Sequence, residues 1–157
     1  MTRVGIGYDV HKFATNRKLI IGNVEIDYPL GLLGHSDADV LLHAIIDALL
    51  GAAALGEIGK HFPDNDNQYK DINSMILLKK VYDLITEKGY KIGNIDTIII
   101  AQAPKLSTYI PKMQKNIADV LLLEEDCISI KATTNEHQDS IGNGEAIACF
   151  ATTILYS

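Results

Sequence analysis

The sequence contains no tryptophan, two cysteines and four prolines in 157 residues. Two isolated cysteines exclude a disulfide-stapled secreted scaffold, and without a CxxC pair there is no zinc ribbon or thiol redox motif. Cys127 and Cys149 both stand in apolar, strand-like runs, so buried reduced thiols are expected rather than a disulfide. No apolar run reaches the roughly 20 residues a membrane-spanning helix needs. The opening MTRVGIGYDV lacks the apolar core and cleavage pattern of a signal peptide, so a cytoplasmic protein without a membrane partner is expected. Basic residues are few: 14 Lys and Arg face 20 Asp and Glu, a net charge of −6. That balance excludes the basic footprint of a nucleic-acid-binding protein. Walker-type loops, Ser/His/Asp triad order, repeats and low-complexity stretches are missing as well.

What is present is an ordinary globular composition, 47% hydrophobic and 22% charged, at a length that suits one domain with a real core. Arg3 to His11 alternates: Val4, Ile6, Tyr8 and Val10 point one way, Gly5, Gly7, Asp9 and His11 the other. The pattern predicts a strand with its apolar face on a core, and glycines that clear space for a bulky ligand beside Asp9 and His11. Leu19–Ile26 reads as a hairpin turning near Gly22–Asn23. A Gly/Pro-rich loop leads to a helix from Ala38 to about Ala54, capped by Ser36 or Asp37. Leu41, Leu42, Ile45, Ile46, Leu49 and Ala53 make its apolar face, and Asp39, His43 and Asp47 a polar stripe along the edge. Further helices are expected over residues 74–88 and about 107–122, and strands over 95–104, 127–134 and 145–156. This order predicts a single α+β domain spanning 1–157, with helices packed on one face of a mixed sheet.

Asp9 and His11, two apart on a strand, project from one face about 6.5–7 Å apart, close enough to share an ion. His43 would join them from the first helix, and two histidines with one carboxylate form a ligand set for catalytic zinc with a position left open. D-x-H is a short pattern, however, and a helical histidine more often only hydrogen-bonds; the geometry admits a metal without requiring it. GHSDAD (Gly34–Asp39) offers His35, Ser36 and a helix N-terminus that suits phosphate, or simply a capped turn. KATTNE (Lys131–Glu136) leaves a strand with two hydroxyls and a carboxylate able to hold a hard cation, although a Thr pair also suits a strand for its own sake.

Taken together, RVGIGYDVHKF, the long block from Gly31 to Asp64, NIDTIIIAQAPKL, IKATTNE and the terminal GEAIA resemble one family closely. It is the 2-C-methyl-D-erythritol 2,4-cyclodiphosphate synthases of the non-mevalonate isoprenoid pathway. The resemblance implies a homotrimer with active sites between subunits. The implied reaction converts 4-diphosphocytidyl-2-C-methyl-D-erythritol 2-phosphate to the cyclic diphosphate with release of CMP. It implies Zn²⁺ on Asp9, His11 and His43, and a second cation, Mg²⁺ or Mn²⁺, near Glu136. His35 and Thr134 match positions that contact phosphates and stabilise the transition state. Ser36, Ile58, Gly59, Phe62, Asp64 and Asp66 match positions around the methylerythritol. Ala101, Pro104, Lys105, Leu106, Ala132 and Thr133 match positions that enclose the cytidine diphosphate from the adjacent subunit. An acidic chain would then hold an anionic substrate through metal ions, backbone N–H groups and a few lysines.

The chain departs from the family pattern at three substrate-binding positions. Glu57 replaces the Asp that binds the cytidine ribose, one carbon longer. Ser140 stands at the usual Phe and Asn143 at the usual phosphate-holding Arg, two positions that in some members also line an apolar channel on the threefold axis. Two other readings use the same residues: a zinc-dependent phosphoesterase, and a noncatalytic trimer that binds isoprenoid diphosphates.

Overall fold

The first strand, β1 (Thr2–Ala14), runs nearly the full width of the domain and carries the residues around which the rest is arranged. In the computed structural model, which describes residues 1–157, a small hairpin follows, β2 (Leu19–Ile21) and β3 (Val24–Ile26). Its turn is tight, with Gly22 and Asn23 both at positive φ. After the two-residue β4 (Gly31–Leu32) come helix α1 (Val40–Ala52) and the single turn α2 (Ile58–His61). Helix α3 (Ser74–Glu87) leads to β5 (Lys91–Ile100), α4 (Ile110–Leu121) and β6 (Ile128–Thr133). A single turn α5 (Asp139–Gly142) precedes the last strand, β7 (Ala146–Tyr156).

The sheet order is β4-β1-β7-β5-β6. β7 lies antiparallel between β1 and β5, and β5 pairs with β6 in parallel. The sheet is therefore mixed, with α1, α3 and α4 sharing one continuous core on one of its faces: the expected α+β architecture in a single domain. α1 is buried almost all round, its edge residue Asp47 being only partly covered, as a helix apolar on most of its surface must be.

Three expectations are corrected. The strand alternation holds, but with the faces exchanged. Val4 and Ile6 of β1 are 70% and 68% exposed, while Gly5 and Gly7 lie in the core. A Cβ on Gly5 would overlap the Ala48 carbonyl oxygen, and one on Gly7 that of Ala44. The glycines therefore clear space for helix α1, not for a ligand. Hydropathy alone pointed Val4, Ile6, Tyr8 and Val10 inward, but a single chain leaves that sheet face open.

The cap of α1 is Asp39, not Ser36 or Asp37. Its buried carboxylate accepts from Leu42 N at 3.1 Å and also from Gly22 N and Asn23 N at 2.9 and 2.8 Å. One side chain thus closes the helix and ties the hairpin to it. Helix α4 begins at Ile110 rather than 107, with Pro111 in its first turn. Both cysteines are free thiols; Cys149 is buried opposite Asp9 in the β1–β7 register, and Cys127 is only partly buried.

Candidate metal centre and substrate cavities

Asp9 and His11 leave β1 on the helix-covered face, just beyond the two glycines, where the strand runs out from under the N-terminal turn of α1. His43, in that turn, is 9% exposed. Asp9 Oδ2 lies 2.8 Å from His11 Nε2 and 3.1 Å from His43 Nδ1, and the two nitrogens are 3.2 Å apart. A tetrahedral ion about 2.0–2.1 Å from each donor would set them about 3.3 Å apart. The three atoms therefore stand close to the separations such an ion would need, at the wall of a cavity. His11 Nδ1 lies 2.9 Å from the Leu33 carbonyl oxygen, which can only accept. A ring proton is therefore on Nδ1, which leaves Nε2 as the nitrogen able to give its lone pair to a cation at the centre. His43 Nε2 faces the hydroxyls of Ser36 and Ser74.

The electrostatics follow from burial and from these contacts. Burial pushes the Asp9 carboxyl up, but hydrogen bonds and charge from His11 and His43 outweigh it and hold the group at about 2. Burial pushes His43 down, and Asp9 outweighs that, leaving it above its usual 6.5. The Asp9 carboxylate thus keeps its charge beside two imidazoles whose protons a bound cation would displace, the character of a cation site.

A cavity of about 370 Å³ opens over the triad, lined by His35, Ser36, Ile58, Gly59, Phe62 and Asp64 together with Tyr69 and Leu77. All but the last two belong to the residues anticipated from the sequence. Helix α2 is held at the rim because Asp47 Oδ1, one turn after His43, accepts from Ile58 N at 2.7 Å. Asp66 does not line the cavity: its carboxylate caps Gln68 N, which holds it below the usual range, while its carbonyl accepts from His35 Nε2 at 3.0 Å. Asp66 orients His35 through its backbone. Glu57 precedes α2 with its side chain exposed. Tyr69 and Leu77 carried no motif; they enter only because the segment 67–77 folds back over the loop that holds Phe62.

The other anticipated group assembles elsewhere on the chain. Strands β5 and β6 end at the same edge, and Ala101 N donates to Thr133 O at 2.9 Å. Beyond them Ala101, Pro104, Lys105, Leu106, Ala132, Thr133 and Thr134 line a second cavity of about 390 Å³, joined by Gln102 and Ser107. Gln102 escaped notice as a residue between alanines. Its Oε1 accepts from His137 N at 3.1 Å and so ties this cavity to the loop carrying Glu136. Glu136, His137 and Asp139 all have positive φ, a strained run that aims the loop outward. Glu136, Ser140 and Asn143 are exposed and line neither cavity.

Comparison with known proteins identifies the family. The family model described as the YgbB family matches residues 2–156. The 2-C-methyl-D-erythritol 2,4-cyclodiphosphate synthase of Clostridium acetobutylicum is 61% identical over 153 residues, 98% of this chain and 99% of its own. Among solved structures, the bifunctional IspDF of Campylobacter jejuni superposes with a TM-score of 0.95 at 46% identity, over 99% of this chain and 42% of that longer one. IspF of Plasmodium falciparum in complex with CDP superposes with a TM-score of 0.86 at 40% identity, over 98% of this chain and 95% of that one. The chain belongs to the YgbB family and has the cyclodiphosphate synthase function of isoprenoid biosynthesis.

Proposed function

We propose that the chain works in the cytoplasm as a phosphorus–oxygen lyase. It takes 4-diphosphocytidyl-2-C-methyl-D-erythritol 2-phosphate, and an oxygen of the 2-phosphate attacks the β-phosphorus. The bond from that phosphorus to the CMP oxygen breaks, its electron pair leaves with CMP, and the eight-membered cyclic diphosphate closes. The observation that carries this reading is the convergence of Asp9 Oδ2, His11 Nε2 and His43 Nδ1 within 4.8 Å of one another at a cavity that also holds His35 and Ser36.

Those three side chains would hold Zn²⁺. Bound there, the ion supplies a Lewis acid that draws charge from a diphosphate oxygen. Glu136 would hold the second cation, Mg²⁺ or Mn²⁺, with substrate phosphates completing its shell. His35, oriented by the Asp66 carbonyl, and Thr134 would donate hydrogen bonds to phosphate oxygens as charge shifts to CMP. The first cavity, with Ser36, Ile58, Gly59, Phe62 and Asp64, would enclose the methylerythritol, Asp66 contributing through its hold on His35. Ala101, Pro104, Lys105, Leu106, Ala132 and Thr133 would enclose the cytidine diphosphate, with Glu57 on the ribose and Ser140 and Asn143 on the phosphate side. Because the nucleophile is tethered to its target, holding the substrate folded supplies much of the rate.

We also propose that the working form is a homotrimer with the first cavity of one subunit facing the second cavity of the next. The open sheet face supports this: Val4, Ile6, Tyr8, Val10 and Phe150 are each at least 40% exposed on one surface, and a contiguous apolar surface of that kind marks a contact between chains. The test is mass spectrometry of the product made from the authentic substrate. The cyclic diphosphate together with CMP is expected, with chelation abolishing turnover; a linear phosphate would make the chain a phosphoesterase instead.

A further inference from the structure

The metal-facing atom of His43 is Nδ1, so its ring must carry its proton on Nε2 when a cation is bound. Two neighbours pull in opposite directions. Asp9 Oδ2, 3.1 Å from Nδ1, attracts a proton to the wrong nitrogen. On the other side Nε2 has two hydroxyl neighbours, Ser74 Oγ at 2.9 Å and Ser36 Oγ at 3.1 Å, and a hydroxyl can either donate or accept.

The ambiguity is removed one residue further out. Asp37 Oδ1 accepts from Asp39 N at 3.1 Å and Asp37 Oδ2 from Ser74 N at 2.9 Å, so each oxygen is committed to a backbone donor. The Ser74 hydroxyl points at Asp37 Oδ1 and has only one proton to give. It gives that proton to the carboxylate, and Ser74 Oγ is left able only to accept from His43. Ser74 is fully buried at the start of α3, so no water competes at its hydroxyl for His43.

We propose that Ser74 and Asp37 are positioning residues for the metal centre, a relay in which Asp37 polarises Ser74 and Ser74 holds the proton of His43 on Nε2. This rests on the reading of Asp9, His11 and His43 as a metal site. The relay explains why α3 must pack where it does: its first residue is part of the centre although it touches neither metal nor cavity. It also gives His43 what the Leu33 carbonyl gives His11, an acceptor behind the ring that leaves the other nitrogen's lone pair pointing inward.

The test is zinc affinity, measured on the full chain by competition with a chromophoric chelator. Ser74→Ala should weaken zinc binding about 10–100-fold; Ser36 Oγ remains as a longer acceptor, so binding is not abolished. Ser74→Thr, which keeps the hydroxyl, should restore affinity to within a few-fold of the wild type. Asp37→Asn should weaken it as well, since an amide cannot accept at both positions. Nitrogen–proton correlation spectra of the zinc-loaded wild type should show the His43 proton on Nε2, and Asp37→Asn, which leaves the Ser74 hydroxyl in place, tests the relay even if Ser74→Ala does not fold. Zinc affinity of a folded Ser74→Ala equal to the wild type would overturn the relay while leaving the metal site intact, whereas a His43 proton on Nδ1 in the zinc-loaded protein would remove His43 from the ligands and the relay with it. A wild type that binds no zinc at all would instead overturn the metal site and the relay with it.

Discussion

Gly7 of β1 lies directly against Ala44 of α1, with no room between them for even a methyl group. Ala44 follows His43, and Gly7 precedes Asp9 by two. The same close approach therefore sets the 3.1 Å separation of Asp9 Oδ2 from His43 Nδ1. One register above, Gly5 meets Ala48 and Ala52 in the same way, so glycines face alanines along the strand until the metal ligands replace them.

Gly7→Ala should therefore push α1 away from the sheet and open the triad. Overpacking of this kind costs about 1–3 kcal/mol, to be read as a lower urea midpoint, with zinc affinity falling alongside it. Unchanged stability together with unchanged affinity would mean that the strand–helix distance does not set the site.

The open face of β1 yields a second prediction. Ile6 is 68% exposed and Val4 70%, so a charge at either position costs a lone chain little but must be buried in an assembly. Ile6→Lys should sediment as a monomer where the wild type sediments as a trimer. Its activity should be lost while zinc binding persists, because all three ligands lie on one chain.

The proposed sharing of sites between neighbours predicts complementation. His43→Ala spoils the first cavity and Thr134→Ala the second, and each homotrimer should be at least about 100-fold less active. Dissociating the two variants and reassembling them in equal amounts should restore roughly a quarter of wild-type turnover, from interfaces that pair two intact halves. Recovery of none would place both cavities in one self-sufficient subunit.

Acidity should act on the metal-free protein and the loaded protein in opposite directions. His43 lies above its usual 6.5, with burial opposing and Asp9 prevailing. Its contribution to stability is thus complete below pH 6.5 and lost as pH rises through the folded value. Asp39, raised to about 6 by burial and by the charge of Asp37, adds stability that is complete below 3.8 and lost as pH rises through 6. Asp9, held at about 2, contributes stability above 3.8 that is lost as pH falls through 2. Chelator-treated protein should melt at a higher temperature at pH 5 than at pH 8. Zinc should raise the melting temperature more at pH 8, where no proton competes for His43. A zinc-induced increment larger at pH 5 would refute this assignment of the ligands.

Much of the site was legible because its parts are local. Asp9 and His11 share a face through strand periodicity, and His43 and Asp47 share one through helical periodicity. The hairpin turn at Gly22–Asn23 and the strand character of residues 146–156 were equally readable, since β-branched runs and turn residues act within a few positions. Asp39 was read as part of the edge stripe and proved to be the buried cap, because its hydrogen-bond donors Gly22 N and Asn23 N are 17 and 16 residues away. Tyr69, Leu77 and Ser74 could not be found at all, since each comes beside the site or its ligands by a chain reversal that no local pattern encodes.

The sequence by itself determined the ligand types, the elements that carry them and, through its long family-like block, the chemistry. The tertiary structure decided which face of β1 is inside. Alternation specifies two faces but not their assignment, and that depends on what packs against each. Helix α1 needed a surface of glycines to come close enough for His43 to meet Asp9 and His11, so the apolar face of the strand was left uncovered.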